Sequence, residues 1–387
     1  MSEAKYGLPQ DVRFCRRCVI SNCRPSSVVE HLASVEDVKP TIAFTDGVCA
    51  ACLEAERKAN TDWQAREQEL KALLDLYRRN DGRYDVLVPG SGGKDSFYAA
   101  HILKHRYGMH PLTCTWAPHI YTEVGWRNHR RFCAIADNYL LTPNERIHRM
   151  LTRVALENLF HPFQPFVLGQ KAFPPRLAKQ LGIKLVMYGE SAVEYGNGVQ
   201  AGPRVEETYH VVPRETLRIG GLLTSEFGLD QSELDAYLPL ENSPPEVQYL
   251  GYYLKWHPQS CYYYASEHGG FEAAPERTPG TYSKYNSLDD KLDDLHYFTT
   301  WIKFGIGRAT YDAAQEIRSG DITREEGVAL VKRFDGEYPE RFEREVFEYL
   351  SVDGFPDMTR ERLFMLAEKF RSPHLWDGEK LRHRVWG

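Results

Sequence analysis

The sequence contains no run of 18 apolar residues, and its first residues, Met1-Ser2-Glu3-Ala4-Lys5, carry charge with no apolar stretch behind them. Neither a membrane span nor a secretory leader is expected, and the expected location is the cytoplasm, with no membrane partner. There is no basic excess either. Lys and Arg number 48 against 54 Asp and Glu, a net charge of −6, so a nucleic-acid partner is not expected. No C-x-x-C pair occurs after Cys52. Two common phosphate-binding signatures are also missing. A Walker A loop needs Gly five residues before its Gly-Lys and Ser or Thr after the Lys, where this chain has Val88 and Asp95. The dinucleotide fingerprint fails at its third glycine, where Asp95 stands after Gly90 and Gly92.

What the chain does have at that point is strand, glycine turn and helix. The apolar Val86-Leu87-Val88 runs into Pro89-Gly90-Ser91-Gly92-Gly93, and the helix-forming Phe97–Lys104 follows. Glycine backbone approaches a ligand closely, and free N–H groups at a helix start favour an anion, so the natural guest is a phosphate or pyrophosphate. The alternative is a turn that only joins strand to helix. The run Ser91-Gly92-Gly93-Lys94-Asp95-Ser96 resembles the PP-loop of the N-type ATP pyrophosphatases, which cleave ATP to AMP and pyrophosphate while activating a carbonyl oxygen. That resemblance implies ATP at Gly90, Ser91, Gly92, Gly93, Lys94, Asp95 and Ser96, with Mg²⁺ beside Asp95.

A chain of 387 residues with 42% hydrophobic content is long enough for two or three domains. Its 23 Tyr, 18 Phe and 7 Trp favour stacking surfaces for flat or sugar ligands. Four of the eight cysteines form the pairs Cys15-x-x-Cys18 and Cys49-x-x-Cys52. Two such pairs have the ligand spacing of a structural zinc site of four thiolates; the alternative is reduced or redox-active thiols without metal. The segment around them is polar and short of apolar residues, which suits a metal staple. Cys23 falls between the pairs and is given no role. Cys114, Cys133 and Cys261 are isolated and read as small buried hydrophobes.

The expected organisation is a zinc-ribbon-like module over residues 1–60, a connector helix over 61–83, an ATP-binding α/β domain over 84–195, an irregular aromatic-rich lid or substrate segment over 196–284, and a helical region over 285–387 that completes the site. In the connector, Trp63, Leu70, Leu73, Leu74 and Tyr77 recur at helical spacing. In the α/β domain, strands at Pro111–Ala117 and Lys184–Tyr188 alternate with helices. This predicts a parallel sheet with helices on both faces. Ligands bind at the carboxyl ends of such strands, which draws Thr115, Trp116, Gly189 and Glu190 toward the glycine turn. The lid segment has an alternative reading as a surface excursion packed by its own aromatics. Helix is expected to resume with Ser287 as N-cap and Asp289 and Asp290 in its first turn. A capping box, Thr323-Arg324-Glu325-Glu326, opens a later helix.

Taken with these motifs, the run Lys284-Tyr285-Asn286-Ser287-Leu288-Asp289-Asp290-Lys291-Leu292-Asp293-Asp294-Leu295-His296-Tyr297, then Ile302-Lys303-Phe304-Gly305-Ile306-Gly307-Arg308-Ala309 and Ile322–Gly327, resembles the N-acetyl sugar amidotransferase family. Its members turn an acetamido group of a bacterial surface sugar into an acetamidino group. The resemblance runs from Cys15 to about Pro339. It implies a nucleotide-activated sugar of O-antigen, or a nonulosonic acid such as pseudaminic acid, as substrate. It also implies ammonia supplied by a separate glutaminase with a cyclase-like subunit. Lys94, Asp95 and Glu190 become the catalytic candidates, and Lys284, Tyr285, Asp289, Asp290 and Arg308 the substrate-binding candidates. For these last, helix capping and ion pairing is the plainer alternative. A PP-loop tRNA thiolation enzyme is the competing reading. It calls for further catalytic-domain cysteines in C-x-x-C spacing, which this chain does not have.

Overall fold

The computed structural model describes residues 3–25, 41–190, 214–240 and 245–387. At the N-terminus a two-residue hairpin, β1 (Phe44–Thr45) and β2 (Val48–Cys49), leads directly into α1 (Ala50–Ala59). The connector is α2 (Trp63–Tyr77), and Asp62 caps it by accepting from the Gln64 and Ala65 N–H groups. This matches the helical spacing of its leucines, of which Leu70 and Leu74 are fully buried.

The centre of the molecule is one parallel sheet. Along the chain run β3 (Val86–Pro89), α3 (Lys94–His105), β4 (Pro111–Trp116), α4 (Glu123–Phe132), β5 (Asn138–Leu141), α5 (Glu145–Leu159), α6 (Gln164–Leu181) and β6 (Leu185–Tyr188). A short hairpin, β7 (Arg218–Ile219) and β8 (Leu222–Leu223), and the single turn α7 (Gln231–Leu234) precede β9 (Glu246–Tyr249). The sheet order is β5-β4-β3-β6-β9, with every neighbouring pair parallel. Every residue of β3 and β4 is buried, as a strand covered on both faces requires. Alternation sends Val86 and Val88 into a core with Leu74, Phe97 and Leu103, and Leu87 into another with Ile147, Leu151 and Leu177.

The fifth strand lies in the stretch expected to be irregular, and so does a full helix. After α8 (Leu250–Tyr253) comes α9 (Pro258–Gly269), which packs on α3. Gly269 allows this approach, since a Cβ there would sit 1.4 Å from the Phe97 ring. The tyrosines at 262–264 that suggested a lid are thus one helix of the sheet's cover. Within that stretch, residues 196–213 and 241–244 lie outside the described residues.

The C-terminal region is helical: α10 (Asp293–Phe304), α11 (Arg308–Ser319), α12 (Arg324–Phe334), α13 (Glu343–Leu350) and α14 (Arg360–Phe370), then the hairpin β10 (Trp376–Asp377) and β11 (Lys380–Leu381). The expected capping box is present, with Thr323 and Glu326 bonding reciprocally. The expected start at Ser287 is not. Ser287 has φ +55°, and α10 begins only at Asp293. The intervening residues pair with the exit of β4 instead. Thr122 N–H donates to the Asp289 carbonyl at 3.1 Å, and Lys291 N–H to the Ile120 carbonyl at 2.9 Å. The Asp290 carboxylate accepts from the His119 N–H at 2.7 Å and the Leu292 N–H at 2.9 Å, a local alternative to helix that Asp readily takes. The four-cysteine module is not isolated from the rest of the chain. It shares one apolar core with Phe304, Ile306, Ala313, Val331 and Trp376, so it is packed against the C-terminal helices rather than standing apart.

Candidate functional site

In a sheet of this order, ligands sit in the crevice beyond the carboxyl ends of the strands where the winding reverses, here between β3 and β6. The glycine turn stands at the end of β3. Gly90 lies so close to Ser96 that a Cβ would come within 2.0 Å of the serine Cβ. Gly92 has φ +95° and lies against the His129 backbone at 2.8 Å from where its Cβ would be. Both positions exclude any side chain. Gly93 precedes α3 without a side-chain cap, which leaves the first N–H groups of that helix available for an anion.

The turn opens on a cavity of about 410 Å³. Ser91, Gly92, Gly93, Lys94 and Asp95 form one wall, and Tyr285–Asp290, Asp293, Tyr297 and Arg308 the wall facing it. Phe163, Phe166 and Gln170 of the α6 end and Asn128 of α4 close the sides. Lys94 Nζ donates to Asp95 Oδ2 at 2.7 Å. The other Asp95 oxygen accepts from the Trp256 indole N–H at 2.9 Å. Burial, and behind it the repulsion of Asp95, pushes the Glu190 carboxyl up to about 7.

The facing wall is acidic and partly buried. Burial pushes the Asp293 carboxyl up to about 7, against the Arg308 guanidinium and the Ser287 hydroxyl. The Asp289 carboxyl is likewise raised by burial, with a hydrogen bond from Ser91 opposing it. Asp290 is locked by His119, whose Nδ1 lies 2.6 Å from Oδ2. Arg308 donates from Nε to Asp312 at 3.0 Å and also bonds the Tyr297 hydroxyl. Burial pulls its guanidinium down, but Asp312, Tyr297 and Asp293 together outweigh that and hold it above its ordinary range.

The structure thus brings Ser91, Gly92, Gly93, Lys94, Asp95, Tyr285, Asp289, Asp290 and Arg308 to one cavity. Other expected site residues stand behind it. Gly90 shapes the turn, held by Thr115, whose hydroxyl donates to the Gly90 carbonyl at 2.6 Å. The Ser96 hydroxyl is spent on the Gly93 carbonyl at 3.0 Å rather than facing the cavity. Trp116 turns to the other face of the sheet, among His148, Phe173 and Tyr237. Gly189 lets β6 pass the Asp95 carbonyl, 2.3 Å from where a Cβ would be. Lys284 points away and donates to the Pro275 carbonyl at 2.9 Å. Sequence reasoning did not single out Asp293, Tyr297 or Trp256. Asp293 and Tyr297 lie within the quoted family run, so their proximity to Asp289 was a usable signal; Trp256 had none.

The four paired cysteines form a second centre. All are buried, and one atom from each lies within 4.8 Å of the others. Cys15 and Cys52 sulfurs are 3.8 Å apart, and Cys18 and Cys49 sulfurs 3.7 Å. A tetrahedron with metal–sulfur arms of about 2.3 Å has edges of about 3.8 Å, so the thiolates fit one metal ion of that kind. The Arg17 and Cys49 N–H groups both point at the Cys15 sulfur at 3.4 Å, a second layer that suits a thiolate. Among the described residues this is the one group of three or more such side chains close enough to share an ion; the aspartates of the cavity are not another. Cys23, Cys114 and Cys261 are buried outside it, and burial raises all three thiols.

The fold is that of an α/β protein with a glycine turn at the switch point of its parallel sheet. Residues 279–386 match the family described as LPS biosynthesis protein WbpG-like, C-terminal domain. The match covers Lys284–Gly327, the downstream part of the motifs that carry the family resemblance, and supports that resemblance. No curated protein matches the chain. Among solved structures it is similar to NMN synthetase from Francisella tularensis, at 12% identity and TM-score 0.31, covering 77% of this chain and all of that one.

Proposed function

We propose that this chain is an ATP-dependent amidotransferase of bacterial surface-sugar synthesis, converting an acetamido to an acetamidino group through an adenylate. One observation carries the reading: the wall facing the phosphate loop is supplied by the region that matches the LPS-biosynthesis family. The loop suits a departing pyrophosphate, and the facing wall offers carboxylates and aromatic rings to a sugar. In the first step the acetamido oxygen attacks the α-phosphorus of ATP. The bond from phosphorus to the bridging oxygen breaks, and pyrophosphate leaves with the electron pair. Lys94 and the loop N–H groups balance its charge. Asp95 would hold Mg²⁺, which supplies further positive charge to the phosphates. Ammonia then adds to the imidate carbon, the carbon–oxygen bond breaks, AMP departs, and one proton is released. Glu190 is outside the cavity lining but close enough for the charges of Asp95 and Lys94 to act on it, and it supports the loop from behind rather than touching substrate.

In this reading the four cysteines hold one structural zinc ion, and ammonia comes from a separate glutaminase. The tRNA thiolation alternative needs a cysteine at the cavity, and none of the lining residues is one. The test is to incubate purified protein with ATP, ammonium and acetamido sugar nucleotides carrying heavy oxygen in the acetamido carbonyl. AMP bearing the label, pyrophosphate, and a product lighter by about one mass unit than unlabelled substrate are expected from this displacement. ADP or unlabelled AMP as product overturns the proposal.

A further inference from the structure

Asp95 is held from a direction that the catalytic reading does not use. Trp256 is 2% exposed. Its indole N–H donates to Asp95 Oδ1 at 2.9 Å, while Lys94, which holds the other oxygen, lies 5.8 Å from the centre of the same ring. One side chain therefore bonds one charged residue of the loop and lies beside the other. A buried indole N–H needs a partner, and here the partner is the carboxylate expected to carry Mg²⁺.

Trp256 is pinned in turn. Its carbonyl accepts from Lys58 Nζ at 2.5 Å, and the same ammonium lies 5.7 Å from the indole centre. Lys58 belongs to α1, the helix that starts immediately after Cys49 and contains Cys52. Six residues of helix, about 9 Å, separate Cys52 from Lys58. The start of α1 has no side-chain cap and no acidic residue in its first turn. Beyond the packing of Ala50 and Ala51 in the core shared with the C-terminal helices, ligation of Cys49 and Cys52 would fix it, since metal binding orders the segment that carries its ligands.

We infer that Lys58 and Trp256 are positioning residues that tie the four-cysteine centre to the phosphate loop, so that the centre governs how the loop holds Mg·ATP. The inference rests on the nucleotide reading above. It gives the cysteine module a task beyond stability: its first helix aims the lysine that places the tryptophan that orients Asp95.

The probes are Mg·ATP and metal-free AMP, titrated by calorimetry into the metal-loaded full chain. Trp256→Phe keeps a ring and removes the N–H. Mg·ATP should bind about tenfold more weakly, the usual effect of losing a hydrogen bond to a charged group, while AMP binding stays within about twofold. Lys58→Met, less buried and so safer for folding, should retain about one metal per chain by elemental analysis and weaken Mg·ATP about threefold. Lys58→Arg should restore it. The double variant should bind no more weakly than Trp256→Phe alone, because the two residues act in series. Wild-type Mg·ATP affinity in Lys58→Met, equal losses for AMP and Mg·ATP, or additive effects in the double variant would overturn the inference while leaving the nucleotide reading intact. Failure of the wild-type chain to bind Mg·ATP would overturn both.

Discussion

The loop wall of the cavity is built from five consecutive residues, Ser91–Asp95, whereas the wall facing it is shaped by hydrogen bonds that span 166 to 171 residues of chain. In the loop, backbone freedom decides. Gly92 at φ +95° and the uncapped start of α3 give the turn its conformation, and Thr115 and Trp256 hold its two ends. In the facing wall, propensity favours a helix from Ser287 onward, and tertiary contacts defeat it. Asp290 is taken by His119, and the Thr122 hydroxyl takes the Leu288 carbonyl, which a helix would have used. The lesson is that the loop wall cannot be substituted at Gly92 or at its charges without a local loss, whereas the facing wall can be substituted only with regard to distant partners.

The largest test of this contrast is Lys94→Ala. Losing one preorganised charge opposite a leaving group costs about 10²–10³ in rate, measured as pyrophosphate release. Because Lys94 is buried against Asp95, the change should also lower the melting temperature, as an uncompensated carboxylate does. Full activity would mean that the loop does not stabilise pyrophosphate.

A second test addresses the facing wall through its support. Gly125 of α4 lies against Asp289, whose Cα would be 2.4 Å from an added Cβ. Gly125→Val should cost about 1–3 kcal/mol by overpacking in denaturant unfolding, and should displace the acidic wall while sparing the loop. Unchanged stability would show that this wall adapts locally, as the loop wall does not.

The smallest effect concerns pH. Burial raises Asp293 from 3.8 to about 7, so its folded value lies above its unfolded one. The folded state then binds the proton more tightly. The contribution is complete below about pH 4 and is lost as pH rises through about 7. Asp293→Asn removes that loss. Thermal melts should show the variant more stable than wild type at pH 8, by about 1–2 kcal/mol, and nearly equal to it at pH 4. An equal difference at both pH values would show that the carboxyl does not titrate there.

Much of the site was legible in the sequence because it is local. The glycine turn, the cysteine spacing and the capping box at Thr323 each depend on a few adjacent residues. The fifth strand was not legible, since Glu246-Val247-Gln248-Tyr249 is short and mixed and becomes a strand only by pairing with Leu185–Tyr188. Trp116 was misplaced for a related reason. It ends a fully buried strand, and nothing local says which face of the sheet its ring takes.

By itself the sequence determined the glycine turn, because only glycine backbone tolerates those conformations. It also determined the four-cysteine cluster, because two C-x-x-C pairs leave little choice of which thiols meet. Tertiary structure alone decided that Asp289, Asp290 and Asp293 face the loop, that Ser96 and Lys284 do not, and that Trp256 holds Asp95. The reason is physical. A hydrogen bond between residues 161 or 171 apart has no signature in the residues between them, and exists only once the sheet has brought its partners together.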